Sequence, residues 1–279
     1  MSDESLMITK SQRSADEDAL LAPQPGLKQD DRLHAITDIV LNAGTIRIDD
    51  LAEIFQVSSM TIHRDLDFLD QKGILRKTRG AATAVASSLF EASPEYRIRQ
   101  SRESKAAVAR AAFALIEPGQ AVMLDDSTTG LHLAEMLPAK RPLTVITNFQ
   151  RVIDLLIEHP GIQTIVTGGQ YYKWCEAYMG TISLNALHSL RADIVFMSSP
   201  AVTNGTCYHQ HHDAVLIKQA MIEAAEKKVL YLDHLKFSMR ALHAHLKVSD
   251  FDTVIVDDKT EQRHIDEIVE TGVELIIAS

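Results

Sequence analysis

Cysteine is scarce. The 279 residues hold two, Cys175 and Cys207, in no Cys-x-x-Cys or Cys/His spacing. That excludes a disulfide framework or a zinc ribbon and suits a reducing cytoplasm. Long apolar runs are missing too. Nothing approaches the ~18 residues that a membrane span needs. The first residues show no basic-then-apolar leader, so a cytoplasmic chain with no membrane partner is expected. Net positive charge is also lacking: 38 acidic against 28 basic residues leave −10, so a polyanion could be met only by a local basic surface. One stretch lacks acids instead. Between Gln71 and Phe90 there is no Asp or Glu, while Lys72, Arg76, Lys77 and Arg79 are basic. At this length two domains are expected, most of the acidic balance belonging to the one without that stretch.

The segment Asp49 to Asp70, DDLAEIFQVSSMTIHRDLDFLD, reads as two short helices joined by a tight turn. Asp49 is suited to cap the first, whose Leu51, Ile54 and Phe55 share a face. Val57 fills the corner, and Ser58 is placed to cap the second helix. There Ile62, Leu66 and Leu69 recur at spacings of four and three, forming one buried stripe. Met60, His63, Arg64 and Asp67 fall on the opposite side at about 100° per residue. Ser59 and Thr61 flank the first turn, where hydroxyls reach phosphate oxygens. This is the pattern of a helix-turn-helix whose second helix reads DNA bases. An ordinary amphipathic hairpin shares the helix pattern. The next segment separates the two: GILRKTRGAATAV reads as strand, Gly-assisted turn and strand. A wing carrying Arg76, Lys77 and Arg79 beside a reading helix is a phosphate clamp.

Residues 1–27 are polar and hold the breaker run APQPG, and a disordered tail is expected there. DRLHAITDIVLNAG, from Asp30, is a first helix with Leu33, Ile36, Val40 and Leu41 at helical spacing and Gly44 ending it. Thr45 to Ile48 is an extended connector. The DNA-binding domain is thus expected over 28–85 and a polar joint over 86–104, its second half a short helix around Tyr96 and Ile98. Arg97, Arg99 and Arg102 read there as a solvated face, with DNA or ligand contact as the alternative. From 105 to 279, helices alternate with short apolar strands: AVML, LTVITN, IQTIVTGG, DIVFMSS, KVLYLDH, FDTVIVDD and VELIIAS. Repeated strand–helix units mean an α/β domain with a mainly parallel sheet covered on both faces.

Ligands of such sheets bind at the carboxyl ends of the strands, and polar residues gather there. Asp125, Asp126, Ser127, Thr128 and Thr129 follow the first strand and open a helix, whose free N–H groups and dipole favour phosphate. Thr147 and Asn148 end the second strand, Gly168 and Gly169 the third. Asp233 and Lys236 follow VLYL, and Lys218, on a helix, can point a cation into the same mouth. Singly, each reads as turn chemistry or helix capping. Together they read as a site for a small anionic ligand.

With these residues in view, the chain resembles bacterial transcriptional regulators of the DeoR family from about Asp30 onward. The resemblance is carried by VSSMTIHRDLDFLDQKGILRKTRGAA, by DDSTTGLHLAEML, TVITN and TGG, and by LDHLKF, which is similar to the family's motif ending in Asp-x-x-Lys. It implies a small N-terminal winged helix-turn-helix and a sensor domain similar to ribose-5-phosphate isomerase, glucosamine-6-phosphate deaminase and CoA transferases. It implies a repressor of a carbohydrate or polyol operon, whose affinity for double-stranded operator DNA is set by a phosphorylated sugar or polyol. Such a protein acts as a homodimer or homotetramer, sits on the nucleoid when bound, and needs neither cofactor nor catalytic residue.

The chain departs from the family in three places. His63-Arg64 stands where the family carries two arginines, so its operator contacts need not copy theirs. SSPAVTNGT replaces a glycine-rich loop, and no acid lies from Ser198 to Tyr208, where the related isomerases and deaminases place catalytic carboxylates. A sugar-phosphate isomerase or deaminase with an accessory DNA-binding domain is the alternative, with Asp125, Asp126 and Asp233 as candidate bases. HQHHD opens another: a metal-responsive regulator using His209, His211, Asp213 and His234. A phosphate contact from His211 or His212 competes with it.

Overall fold

The first helix, α1 (Gln29–Ala43), buries Leu33, Ile36, Ile39 and Val40 and stops at Gly44. The computed structural model describes residues 24–71, 74–84 and 93–279. In it β1 (Thr45–Arg47) leads directly into α2 (Ile48–Phe55). Asp49 is therefore not the cap of α2. Ile48 must turn inward and is 3% exposed, so the helix begins there, and its first N–H donates to the Gly80 carbonyl at 3.0 Å. Asp49 lies in the first turn instead, where its charge complements the helix dipole.

Gln56, at φ 51°, ends α2 in the left-handed region, and Val57 packs into the corner. The next helix, α3 (Ser59–Gln71), opens on Ser58, whose Oγ accepts the Thr61 N–H at 3.2 Å. Ile62, Leu66 and Leu69 are buried, as their spacing requires. β2 (Leu75–Thr78) and β3 (Ala81–Ala84) form the wing hairpin, and β1 adds to it in the order β1-β3-β2. The connector read from sequence is thus a third wing strand. Buried Asp65 on α3 accepts from Arg32 Nε at 2.6 Å and Nη2 at 3.2 Å, fastening α1 to α3. α4 (Pro94–Arg99) closes this unit, which ends at Arg99. Residues 1–23 of the expected tail, Lys72 with its neighbour Gly73, and residues 85–92 lie outside the described residues.

The second unit runs from Gln100. Ser101 precedes α5 (Arg102–Ala114), so Arg102 and Ser104 stand in a helix turn. There follow β4 (Ala121–Leu124), α6 (Thr128–Ala134), β5 (Leu143–Thr147), α7 (Gln150–Leu156) and β6 (Ile162–Val166). A hairpin, β7 (Gln170–Tyr172) and β8 (Ala177–Met179), leads to α8 (Thr181–His188) and β9 (Ala192–Met197). Then come β10 (Ala201–Thr203), β11 (Thr206–His209), α9 (His212–Glu223) and β12 (Ala225–Leu232). β13 (His243–Lys247), β14 (Thr253–Asp257), α10 (Gln262–Glu270) and β15 (Glu274–Ala278) complete the chain.

The main sheet has seven strands in the order β15-β14-β12-β9-β4-β5-β6, and every pairing is parallel. They are the seven apolar runs read from the sequence. Alternation sends Ile194 and Phe196 to one core with α5 and α6, and Val195 and Met197 to another with α8 and α9. β12 begins at Ala225, earlier than the apolar run alone indicates, because Ala225 pairs with Ala192 of β9. The sheet pairing overrides the helix propensity of AAEK. β10, β11 and β13 form a separate antiparallel sheet. Among the described residues, no helix is long and apolar enough to cross a membrane.

From β4 the chain winds outward to β5 and β6, then returns to lay β9 on the other side of β4. The direction of winding thus reverses between β4 and β9, the place at the carboxyl ends of the strands where such sheets hold a ligand crevice.

Candidate functional site

On the first unit, α3 presents an open face. Met60 is 62% exposed. Ser58, Ser59 and Arg64 are exposed beside it, with Thr61 and His63 half-buried. On the wing Arg76 and Arg79 are exposed. Lys77 is placed differently: its Nζ lies 2.5 Å from Asp67 Oδ1 and donates to the His63 carbonyl at 3.3 Å. It ties the wing to α3, and its charge is answered within the unit.

The crevice of the second unit is built around Asp125, which directly follows β4. Its side chain is wholly buried. Oδ1 accepts from the Ser127 N–H at 3.2 Å and from the Tyr231 hydroxyl at 3.4 Å. Oδ2 accepts from the Ser198 N–H at 2.9 Å and from Lys218 Nζ at 2.5 Å. Lys218, on α9, also donates to the Ser198 carbonyl at 3.1 Å and stands 3.4 Å from Asp126. The cation expected at this mouth is therefore engaged by the two carboxylates that follow β4. Tyr231 Oη lies 2.9 Å from Ser127 Oγ. Burial, then the Asp125 charge, pushes the phenol well above its ordinary pKa, so it is a permanent hydrogen-bond donor. Gly130 makes this possible, since a Cβ there would lie 2.7 Å from the Tyr231 hydroxyl.

The remaining crevice residues serve the loops around it. Thr147 Oγ1 accepts the Phe149 N–H at 3.1 Å. Asn148 is wholly buried; its Nδ2 donates to the Tyr178 carbonyl at 3.1 Å, and its Oδ1 has no hydrogen-bond partner among the described residues. Gly169, at φ +112°, turns so close to α8 that a Cβ would meet Ser183 Oγ at 2.5 Å and the Met179 carbonyl at 2.6 Å. Ser183 Oγ donates to the Gly168 carbonyl. Gly169 thus has a packing reason whatever it binds, whereas Gly168 has open space around it and a left-handed φ of +63°. Asp233 caps a short 3-10 turn and lies 3.8 Å from Lys236 Nζ.

The histidines do not converge. His209 is buried and its Nδ1 accepts the His211 N–H at 3.1 Å. His211 packs at a tilt on Trp174 with centroids 3.9 Å apart. Asp213 accepts from the Tyr172 hydroxyl at 2.7 Å, while His234 pairs with Asp257. Among the described residues no group of three or more His, Cys, Asp or Glu could hold a metal ion, so the metal alternative finds no assembled site.

Tyr231, Ser198 and Asp257 carry no weight in the sequence reading. The one signal for them is the tyrosine inside VLYL, because a phenol in a buried strand needs a partner.

Residues 32–88 match the DeoR-like helix-turn-helix domain, and residues 100–258 match the DeoR C terminal sensor domain. The chain belongs to the DeoR family. It carries both halves of a DeoR-family DNA-binding transcriptional regulator. It is 30% identical over 254 residues to the lactose phosphotransferase system repressor of Staphylococcus aureus, covering 90% of this chain and 100% of that one. It is 28% identical over 249 residues to the transcriptional repressor GlcR of Bacillus subtilis, covering 89% and 96%. A ribose 5-phosphate isomerase of Methanocaldococcus jannaschii overlays partially, with a TM-score of 0.37 and 15% identity over 49% of this chain and 54% of that one.

Proposed function

We propose that this DeoR-family regulator represses a carbohydrate or polyol catabolic operon and is released from its operator by a phosphorylated sugar or a related metabolite. Met60, His63 and Arg64 read bases, and Ser58, Ser59, Thr61, Arg76 and Arg79 fix the helix on the phosphates. Lys77 contributes by holding the wing. The effector binds in the crevice, where Thr128, Thr129, Asn148, Asp233 and Lys236 face it, and Asp125, Asp126, Ser127 and Lys218 form its floor. Paired half-sites need paired readers, so the working form is a homodimer or homotetramer.

The observation that carries this reading, rather than an enzymatic one, is the state of Asp125. Both of its oxygens are occupied, by Ser127, Tyr231, Ser198 and Lys218, and a general base must reach the proton it abstracts. A carboxylate locked in this way is unsuited to act as the base, which supports binding rather than turnover at Asp125. Both bacterial relatives are repressors, and the staphylococcal one acts on a lactose phosphotransferase system by name, which supports a carbohydrate effector.

The test is a DNA shift with the promoter beside the protein's own gene, titrated with sugar and polyol phosphates. Release by one of them is expected. Asp233→Ala and Lys236→Ala should bind DNA normally and lose the response; retained response in both would remove that pair from the site. Turnover of a phosphate without any effect on DNA would favour the enzyme.

A further inference from the structure

One tightly held pair beside the crevice has no part in the site described so far. After β12 the chain enters a 3-10 turn (His234–Phe237) capped by Asp233, so His234 sits between the two proposed effector residues Asp233 and Lys236. Its two hydrogen bonds both run to Asp257, which ends the neighbouring strand β14. The backbone N–H donates to Oδ1 at 2.8 Å, and Nδ1 lies 2.6 Å from Oδ2. Asp257 is wholly buried and also accepts from Thr260 Oγ1 at 3.0 Å and from Ser104. Burial pushes its carboxyl up, but the hydrogen bonds from Ser104, His234 and Thr260 outweigh that and hold it below the ordinary carboxylate value.

A carboxylate only accepts hydrogen bonds, so the proton between the two groups belongs to Nδ1. In the neutral ring both orientation and tautomer are thereby fixed: Nδ1–H faces Asp257, and the lone pair of Nε2 faces away. The side chain keeps 27% exposure, so the ring is within reach of a ligand. Asp125 offers a ligand no acceptor, because both of its oxygens are taken. Phosphate has oxygens to accept with and, once ionised, little to donate; a sugar or polyol hydroxyl has a proton to donate.

We propose that His234 is an effector-contacting residue whose Nε2 accepts a hydrogen bond from a hydroxyl of the phosphorylated sugar or polyol, with Asp257 as its positioning residue. The assignment rests on the sensor reading and adds which part of the ligand is recognised at this edge. His234 reads the carbon chain, whereas the phosphate is held elsewhere.

The test uses the full chain and calorimetric titration with glucose 6-phosphate, fructose 6-phosphate, ribose 5-phosphate, sorbitol 6-phosphate and inorganic phosphate. For whichever organic phosphate binds the wild type, His234→Ala should weaken binding about tenfold, the scale of one lost hydrogen bond. Binding of inorganic phosphate should not change, and His234→Gln, which keeps an acceptor, should recover part of the loss. Equal weakening of inorganic phosphate, or no weakening of either, overturns the proposal. If none of the organic phosphates binds the wild type, the sensor reading itself fails and the proposal falls with it. Nitrogen-15 shifts of His234 give an independent check: the wild type should show the Nδ1–H tautomer and Asp257→Asn a shifted tautomer balance. An Nε2–H tautomer in the wild type overturns the assignment even if the Asp257 variant does not fold.

Discussion

Lys218 Nζ lies 2.5 Å from Asp125 Oδ2, with the two side chains 3% and 1% exposed. A buried pair of this kind costs desolvation on both sides, and removing one partner leaves a charge with no answer. Lys218→Met should therefore destabilise the protein by about 3–5 kcal/mol, read as a lower urea midpoint. Adding Asp125→Asn should restore part of it. A single variant as stable as the wild type would mean that the pair does not organise the crevice.

Arg64 and Arg79 are both exposed, yet they should fail differently. Arg64→Ala should cost about 1–3 kcal/mol at the operator and relax specificity at one position. Arg79→Ala should weaken all sequences alike and lower the salt slope by about 1. Binding isotherms on operator and scrambled DNA across salt concentrations separate the two. Identical profiles would remove the division between base reading and phosphate clamping.

Asp67 holds Lys77 at 2.5 Å. Asp67→Ala should release a cation beside the reading helix and remove a negative charge, so affinity for non-operator DNA should rise and its salt slope should steepen by about 1. Unchanged non-operator binding would show that Lys77 cannot reach the backbone even when freed.

His245, on β13, accepts or donates through Nε2 at 3.2 Å to Ser199 Oγ. Burial first, then Lys218 and His209, lowers it from 6.5 to about 3. The folded ring stays neutral while the unfolded chain takes up a proton below its ordinary value. Stability from this group is full above pH ~6.5 and is lost as pH falls toward the folded value, amounting to about 2 kcal/mol by pH ~5. Urea titrations at neutral and mildly acid pH should show this slope, and His245→Gln should flatten it. Equal acid sensitivity in wild type and variant would exclude His245 as its source.

The main sheet was legible because buried parallel strands are continuous apolar runs; AVML and DIVFM need no partner to be recognised. The three-residue TIR and the polar HAHLK were not, since only their pairing, β1 on β3 and β13 on β11, makes them strands. The crevice was legible by residue type. Asp125 and Asp233 could be picked out as polar groups at strand ends and Lys218 as a cation on a helix, but 93 residues separate Asp125 from the lysine that pairs with it. Spacing carries no information at that range. Asp65 and Arg32 were missed for the same reason, and Asp49 was misassigned as a cap because the group that answers the helix is a backbone carbonyl from the wing, invisible in side-chain pattern.

That carbonyl has a mechanical meaning. Gly80 O receives the first N–H of α2, Lys77 grips Asp67 and the His63 carbonyl, and the Ala84 N–H donates to the Gly44 carbonyl at 2.8 Å. Swinging the wing would unfasten the start of one helix and the side of another. Among the described residues the DNA-binding unit is thus fastened as a single tool, and in the function proposed above a metabolite changes its grip on the double helix by moving or loosening the whole of it.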